Sequence, residues 1–314
     1  MSVLGSILLL VVALALGVTV ITQLVGSSAA AASPRRGKMT TLSGGKIHWF
    51  DDGAGLPIVM IHGLGGNLNN FTYALTKELS GEFRTIAIDR PGCGWSERDG
   101  PAQASLPEQA RMIAEFIKAE GLGQPLVVGH SLGGAIAEVL ALNHPDQVGA
   151  LALLCPATNR VEVLPKAFKG IDIPKPALIP VIGHSLAGAM SVLTEKQVFA
   201  EVFKPEPIAP EFLERGGGML GRRPASFIAA AQDLAYSRAS VDDILGREAE
   251  LTLPIGVLYG AVDNILDPDH HGKSFADKTG ATYEELPDRG HMIPLTAPKD
   301  CADFIRKIAA RLSG

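Results

Sequence analysis

The sequence predicts an α/β fold with a mostly parallel central sheet and helices on both faces, and two observations carry this prediction. Short apolar runs closed by glycine or proline, such as PIVMIHG at residues 57–63, alternate with segments whose apolar residues recur at helical spacing. Strands that are apolar throughout are typical of parallel sheets covered on both faces. In addition, 314 residues of which 46% are hydrophobic can bury one large core.

The predicted strands and helices follow one another along the globular part of the chain. A strand-like segment, KIHWFDDG at residues 46–53, opens this part. Further strands are predicted at residues 57–63, 83–92, 125–129, 150–156, 253–260 and 281–287. Helices are predicted at residues 69–79, 105–122, 133–144 and 298–312. Asn69 or Asn70 is expected to cap the first helix and Ser105 the second.

The alternation of strands and helices breaks after Pro156 and resumes at residue 252. Between these points the pattern is mostly helical, and segments rich in proline and glycine interrupt it. Because long structureless segments are rare inside domains, we expect residues 157–251 to form a helical lid. The lid is inserted before the last two strands, so residues 41–156 and 252–314 together form the α/β core.

The N-terminal residues 3–26 contain no charged side chain. About 20 apolar residues span the hydrocarbon core of a bilayer as a helix, whereas the apolar part of a signal peptide usually runs for about 7–15. We therefore expect residues 1–26 to form a retained transmembrane helix, while the small residues at 27–33 leave a cleaved signal segment open. Residues 27–40 are expected to be a flexible tether.

The charge pattern bears on partners and location. Arg35, Arg36 and Lys38 follow the apolar segment, and the positive-inside tendency then places the C-terminal domain in the cytoplasm. A cleaved segment would instead make the protein secreted or periplasmic. The net charge of −5, with no longer run of lysine and arginine, argues against a nucleic-acid partner. The membrane is the expected contact of the N-terminal helix.

The metal-binding residue types show no ligand pattern. Cys93, Cys155 and Cys301 lack CxxC or Cys/His spacing, so we expect small buried side chains without disulfides or zinc. His270 and His271 lie near two aspartates, and a solvated polar loop is favoured there over a metal pair. We therefore expect no metal and no cofactor.

Two nonapeptides, VVGHSLGGA at residues 127–135 and VIGHSLAGA at residues 181–189, each present a serine between small residues. A nucleophilic serine on a strand-to-helix turn needs small neighbours, because the turn is strained and tightly packed. Ser131 has a predicted strand before it and a helix after it. Ser185 lies in the proline-containing lid. We therefore predict that Ser131 is the nucleophile and Ser185 a lid residue.

A nucleophilic serine also needs a base, an acid that orients the base, and donors for the oxyanion. His291 follows the last predicted strand, and Asp263 follows the strand before it. The order serine, aspartate, histidine is the one expected for this kind of turn. Backbone N–H groups of Leu64 and Leu132, each just after a strand end, are predicted to bind the oxyanion.

Other polar residues near strand ends compete for these roles. Asp267 is an alternative acid, but its greater distance from the strand end favours Asp263. His62 and His130 precede tight turns, and we expect them to be structural or to line a pocket. Asp89 is expected to support the turn that follows it.

The motifs HGLGG, DRPGCGWS, GHSLGG, GAVDNILDP and GHMIP occur in this order. With them the chain resembles the α/β-hydrolase fold family, in the subgroup with a helical cap, over residues 41–314. The resemblance implies Ser131 as nucleophile, Asp263 as acid and His291 as base, with Leu64 and Leu132 as oxyanion donors. Haloalkane dehalogenases and epoxide hydrolases of this family carry aspartate at the turn, and some transferases carry cysteine, so a serine speaks against those activities.

The resemblance implies a serine hydrolase similar to esterases and lipases, which cleaves a small acyl or aromatic ester through an acyl-enzyme without a cofactor. The lid is rich in apolar residues and is expected to give an apolar pocket. A carbon–carbon bond hydrolase or a cofactor-free haloperoxidase with the same three residues remains open. A hydrolase-fold protein that only binds a ligand or partner is the remaining alternative.

Overall fold

One sheet organises the molecule in the computed structural model, which describes residues 2–312. Within those residues the sheet has nine strands in the order β1-β2-β4-β3-β6-β7-β8-β9, with β5 paired to β2. The strands are β1 (Lys38–Leu42), β2 (Gly45–Asp52), β3 (Pro57–Ile61), β4 (Arg84–Ile88), β5 (Glu97–Arg98), β6 (Leu126–His130), β7 (Ala150–Leu154), β8 (Ile255–Gly260) and β9 (Thr282–Leu286). Strand β2 pairs antiparallel with its neighbours, and the strands from β4 to β9 along the sheet are parallel.

The burial of the central strands explains their apolar sequences. Every residue of β6, β7 and β8 is buried, so both faces of the sheet are covered. The predicted α/β architecture with a mostly parallel sheet is confirmed. Strand β1 was not predicted, and its residues 38–40 lie within the segment expected to be a tether.

The helices are α1 (Val3–Ala32), α2 (Asn69–Thr72), α3 (Leu75–Leu79), α4 (Leu106–Ala119), α5 (Leu132–Asn143), α6 (Ile179–Ile182), α7 (Gly188–Phe203), α8 (Pro224–Ser240), α9 (Ser274–Thr279), α10 (Ile293–Thr296) and α11 (Pro298–Ala309). Helix α3 packs with α11, and α4 packs with α5. The single helix predicted at residues 69–79 is interrupted at Ala74, whose φ of −147° is not helical.

The predicted cap of the first helix was wrong, because the residue before α2 is Leu68. Ser105 stands at the N-cap of α4 as predicted, but its side chain makes no capping hydrogen bond within the described residues. The N–H of Leu68 instead donates to Oδ1 of Asp89, 2.7 Å away. Asp89 also accepts bonds from the Trp95 N–H and from Nδ1 of His48, so its predicted role in supporting the turn agrees with these contacts.

A helical lid lies between β7 and β8, as the sequence predicts for residues 157–251. Helices α6 and α7 are joined by a π-helical turn, Gly183–Ala187, and α8 follows. Asp233 on α8 binds two arginines of the core, with 2.7 Å to Nη1 of Arg90 and 2.6 Å to Nη1 of Arg98. Arg90 and Asp233 are fully buried, so this ion pair fastens the lid to the sheet.

Helix α1 continues beyond the segment predicted to be apolar and helical. It ends at Ala32, so residues 27–32 are helical and the expected flexible tether is shorter than predicted. Thr22, Gly26 and Ala29 are buried on one side of the helix, at positions i, i+4 and i+7. This stripe packs on the lid, and packing explains why small residues there remain helical.

Candidate active site

Ser131 sits on a sharp turn between β6 and α5. Its φ of 55° and ψ of −123° are strained for a residue with a side chain, as expected at a functional turn. The N–H of Ser131 donates to Leu154 O at 3.1 Å, and its carbonyl accepts from the Gly134 N–H at 2.8 Å. These bonds hold the turn against β7 and the first turn of α5.

The glycines around Ser131 have a steric reason. A Cβ on Gly133 would lie 2.1 Å from Ile61 O, and one on Gly129 would lie 2.6 Å from Gly133 O. A Cβ on Gly63 would lie 2.9 Å from the Ser131 Cβ. The loop after β3 therefore closes directly onto the serine, and only glycine fits at these positions.

Asp263 and His291 form a buried pair after β8 and β9. Nδ1 of His291 donates to Oδ2 of Asp263 at 2.7 Å. Oδ1 of Asp263 accepts from the N–H groups of Ile265 at 2.8 Å and Leu266 at 3.1 Å. Burial by itself would raise the pKa of Asp263, but His291 and the two N–H groups outweigh it and hold that pKa below 3.8. The carboxyl group is therefore ionised at neutral pH.

The second ring nitrogen of His291, Nε2, donates to and accepts from no group within residues 2–312. His291 and Ser131 line the same cavity of about 370 Å³. No hydrogen bond joins the Ser131 hydroxyl to this ring in the described part of the chain. Bonds between nucleophile and base are often long before substrate binds, so this arrangement is compatible with proton transfer.

Backbone donors lie beside the serine. Leu132 is the first residue of α5, where N–H groups have no partner within the helix. Leu64 follows β3, in the loop that closes onto Ser131. Among residues 2–312, neither N–H group donates to another residue. Both are free to bind a negative oxygen, and the positive end of α5 favours such a charge.

The cavity lies between the core and the lid. Leu64, Ser131 and His291 belong to its core side, and apolar residues form the lid side. Among these lid residues are Phe168, Ile182, Met190, Phe199, Val202 and Phe227. Such a wall fits an acyl chain or an aromatic ring next to the serine.

Asp267, which is the alternative acid, and the possible metal pair of His270 and His271 make hydrogen bonds to backbone groups of nearby loops. Oδ1 of Asp267 accepts from the N–H groups of Asp269 and His270, so it caps the turn that follows. Nδ1 of His271 accepts from the Asn159 N–H, and burial lowers the pKa of His271 to about 4. The two histidines therefore connect the first residues of the lid, Asn159 and Arg160, to the loop after β8.

His62, His130 and Ser185 make hydrogen bonds to groups other than the proposed catalytic side chains. Nε2 of His62 accepts from the Arg90 N–H, and Nε2 of His130 donates to His291 O at 3.0 Å. Burial lowers the pKa of His130 to about 3, so its ring is neutral. Ser185 lies in the π-helical turn of the lid and donates to Val181 O.

Cys155 is a residue of the site that sequence reasoning missed. Its Sγ lies within 4.8 Å of a carboxylate oxygen of Asp263 and a ring nitrogen of His291. Burial raises the pKa of this thiol well above 9.0, so it is neutral. Its place directly after β7 was the available signal, because the carboxyl ends of parallel strands share one edge of the sheet.

A family model described as alpha/beta hydrolase fold matches residues 57–298. The chain is 28% identical to haloalkane dehalogenase 2 of Mycobacterium tuberculosis over 276 residues, 84% of this chain and 91% of the other. It is 28% identical to 2-hydroxy-6-oxo-6-phenylhexa-2,4-dienoate hydrolase of Burkholderia cepacia over 258 residues, 80% of this chain and 86% of the other.

Among solved structures, an esterase from Thermogutta terrifontis superposes with a TM-score of 0.68 and 22% identity. The superposition covers 88% of this chain and all of the esterase (100%), and at this identity it bears on the fold alone. The chain is therefore a hydrolase that belongs to the alpha/beta hydrolase fold family.

Proposed function

We propose that the protein hydrolyses carboxylic esters through an acyl-enzyme on Ser131, with His291 as base and Asp263 as acid. The observation that carries the proposal is the shared cavity. Ser131 on its strained turn, His291 bound to a buried carboxylate, and Leu64 all line it, and the free N–H group of Leu132 follows directly after the serine. This is the set of groups that acyl transfer requires.

In the proposed reaction, Oγ of Ser131 attacks the ester carbonyl carbon while Nε2 of His291 takes the hydroxyl proton. The N–H groups of Leu64 and Leu132 bind the resulting oxyanion, and loss of one such donor typically costs about 10²–10³-fold in kcat. Collapse releases the alcohol, which receives the proton from His291. Water then attacks the acyl-enzyme, His291 takes its proton, and the acid leaves Ser131.

Asp263 has a defined part in these steps. It accepts the Nδ1 proton of His291 and so leaves Nε2 as the basic nitrogen. It also stabilises the charged ring that forms when the serine proton is transferred. These steps use only side chains and backbone groups of the chain.

Carbon–carbon bond hydrolysis is the second candidate, because a relative of that printed activity aligns over 80% of the chain. The same three residues would serve it. Dehalogenation is less well supported despite the first relative, because position 131 carries serine. A serine ether left by attack on a halogenated carbon has no carbonyl at which water could release the product.

Helix α1 supports a membrane anchor as part of the proposal. It is 30 residues long, and its most apolar window of 18 residues has a mean hydropathy of 2.8 and is exposed. We infer that it spans the bilayer and that the hydrolase domain faces the cytoplasm. A signal segment is the alternative, and the mass of the mature N-terminus distinguishes the two.

The function is tested by reacting the purified protein with a fluorophosphonate probe and with short-chain nitrophenyl esters. We expect both labelling and turnover in the parent, and a loss of at least about 10³-fold in kcat for Ser131→Ala. Ser185→Ala is the matched control, because this serine stands in the same local sequence and should behave as the parent.

Three results would count against the proposal in different ways. Labelling that persists in Ser131→Ala would overturn the nucleophile. A parent that does not label would point to a protein that only binds its ligand. Labelling of the parent without turnover of any ester would favour carbon–carbon bond hydrolysis.

A further inference from the structure

The lid presents an apolar surface to solvent along residues 176–203. Val181 is 62% exposed and Leu193 is 75% exposed, and Leu178 and Met190 are close to half exposed, at 46% and 51%. We call these four residues the apolar lid face. Clusters of large apolar side chains that stay exposed usually mark a surface that meets another apolar phase.

Helix α1 is bound to the same stretch of the lid. Oγ1 of Thr22 donates to Ser185 O at 3.1 Å and accepts from the Ala189 N–H at 3.2 Å. Nε2 of Gln23 donates to His184 O at 2.7 Å. These bonds meet the π-helical turn, where one added residue displaces backbone carbonyls from the regular helical pattern.

Close packing supports these hydrogen bonds. A Cβ on Gly188 would lie 2.7 Å from Thr22 O, and a Cβ on Gly26 would lie 2.6 Å from Cδ of Pro224. Small residues therefore let α1 approach both α7 and the start of α8 closely, as small residues do between membrane helices. The nonapeptide at residues 181–189, whose serine the proposed catalytic site does not use, contributes to this contact surface.

The position of the contact along α1 sets where the lid meets a membrane. Thr22 is the first buried residue of the helix. The roughly 19 residues that precede it in α1 extend about 28 Å, close to the roughly 30 Å hydrocarbon core. A helix that spans the bilayer would therefore emerge from it at Thr22, where the lid begins to bind.

The cavity opens on this side of the lid. Leu186 and Met190 both line the cavity, yet they are 44% and 51% exposed. Residues that belong at once to the cavity wall and to the outer surface form its mouth. The mouth is thus part of, or next to, the apolar lid face.

From these observations we propose that the apolar lid face rests on the lipid bilayer, held there by α1, and that the cavity takes a lipid-like ester directly from the membrane. The partner is a lipid surface, and the substrate class rests on the ester hydrolysis proposed above. Two independent observations support it, namely the fixed contact between α1 and the lid and the apolar mouth of the cavity.

Contact with lipid is tested without reference to activity. Tryptophan is introduced by Leu193→Trp, and by Ala310→Trp as the control, in the full chain reconstituted in vesicles that contain brominated phosphatidylcholine. Ala310 is exposed beside Leu312, which packs near Gly149 at the amino end of β7, away from Ser131. The fluorescence of the parent, which has two tryptophans, is subtracted from that of each variant.

We expect bromine to quench Leu193→Trp strongly and Ala310→Trp weakly. Equal quenching of the two variants would overturn the proposal. Absence of quenching together with concentration-dependent dimerisation lost in Leu193→Glu would overturn it in favour of a second copy of this chain as the occupant.

The effect on catalysis is tested with Leu193→Glu and Val181→Glu, neither of which lines the cavity in the described chain. Ala310→Glu is the control of equal charge. Hydrolysis of a long-chain ester embedded in vesicles is compared with that of a short-chain soluble ester. Because a glutamate at either position loses the burial of a large aliphatic side chain in lipid, we expect about tenfold less turnover of the embedded ester.

The soluble ester separates the two proposals. Turnover of this ester should stay unchanged in both lid variants, which also shows that they fold. An active parent whose variants hydrolyse both esters like the parent would overturn the membrane contact alone. A parent inactive on both esters would overturn ester hydrolysis, and tryptophan quenching would still decide whether the lid meets lipid.

Discussion

At the scale of single residues, the surroundings of two aspartates favour Asp263 over Asp267 as the proposed acid. Asp263 accepts hydrogen bonds from the His291 ring and from two backbone N–H groups, whereas Asp267, four residues later, caps a turn. The two carboxylates are similar in sequence position and differ in these contacts. We expect Asp263→Asn to lower kcat about 10⁴-fold, because an amide no longer fixes the histidine tautomer.

Cys155 offers a sharper test of this geometry. Its Sγ lies within 4.8 Å of a His291 ring nitrogen, and an aspartate there would reach further than the thiol. Its φ of 43° is also one that aspartate tolerates. We expect Asp263→Asn combined with Cys155→Asp to regain part of the lost kcat, measured with nitrophenyl esters.

The control for this pair is Asp263→Asn combined with Cys155→Asn, which has nearly the same shape and no charge. It should remain as inactive as Asp263→Asn alone. Equal activity of the two double variants would contradict the idea that a carboxylate after β7 can orient His291.

At the scale of elements, the lid is fastened to the core by a buried ion pair. Asp233→Ala leaves the guanidinium of Arg90 buried without its carboxylate partner, and such a loss typically costs about 3–5 kcal/mol of unfolding free energy. This loss of unfolding free energy is measured by urea unfolding that is monitored by circular dichroism. Arg238→Ala on the same helix removes only an exposed pair with Asp172 and should cost at most about 1 kcal/mol. Similar losses in both would refute the anchoring role.

Helix α5 contains a buried carboxyl group that predicts a pH dependence. Burial raises the pKa of Glu138 well above 4.5, with Glu248 adding to the effect. Above pH 4.5 the unfolded chain releases this proton while the folded protein keeps it. The stability that Glu138 contributes below pH 4.5 is therefore lost as the pH rises towards its folded-state pKa, by up to about 1.4 kcal/mol for each pH unit.

Glu138→Gln removes this titration while nearly preserving the shape of the side chain. We expect the variant to be more stable than the parent at pH 8 and close to it at pH 4.5, as measured by urea unfolding at both values. Glu162→Gln, at an exposed position of the lid, is the control and should follow the parent. A constant difference between variant and parent across this range would contradict the assignment.

At the scale of the whole molecule, α1 belongs to the lid as much as to a membrane. Removal of residues 2–20 keeps the stripe of Thr22, Gly26 and Ala29, so we expect a melting temperature close to that of the parent. Removal of residues 2–33 deletes three hydrogen bonds to the lid. At about 1 kcal/mol for each bond, it should lower the melting temperature by at least about 5 °C.

Scanning calorimetry of the two truncated proteins compares them directly. A higher KM for short-chain esters is also expected in the shorter protein, because the lid forms one side of the cavity. Equal melting temperatures would mean that α1 contributes nothing to the lid.

Local patterns in the sequence were enough to predict the α/β core, the three catalytic candidates and the apolar N-terminal segment. The spacing of apolar residues in strands and helices is a local property, and the glycines around Ser131 follow from steric limits at one turn. The tertiary structure decided what depends on contacts between distant segments. Asp233 meets Arg90 across 143 positions, Thr22 meets Ser185 across 163, and Cys155 meets His291 through strand order alone. Such contacts arise when elements pack, and no local pattern encodes which small or charged residues will face each other.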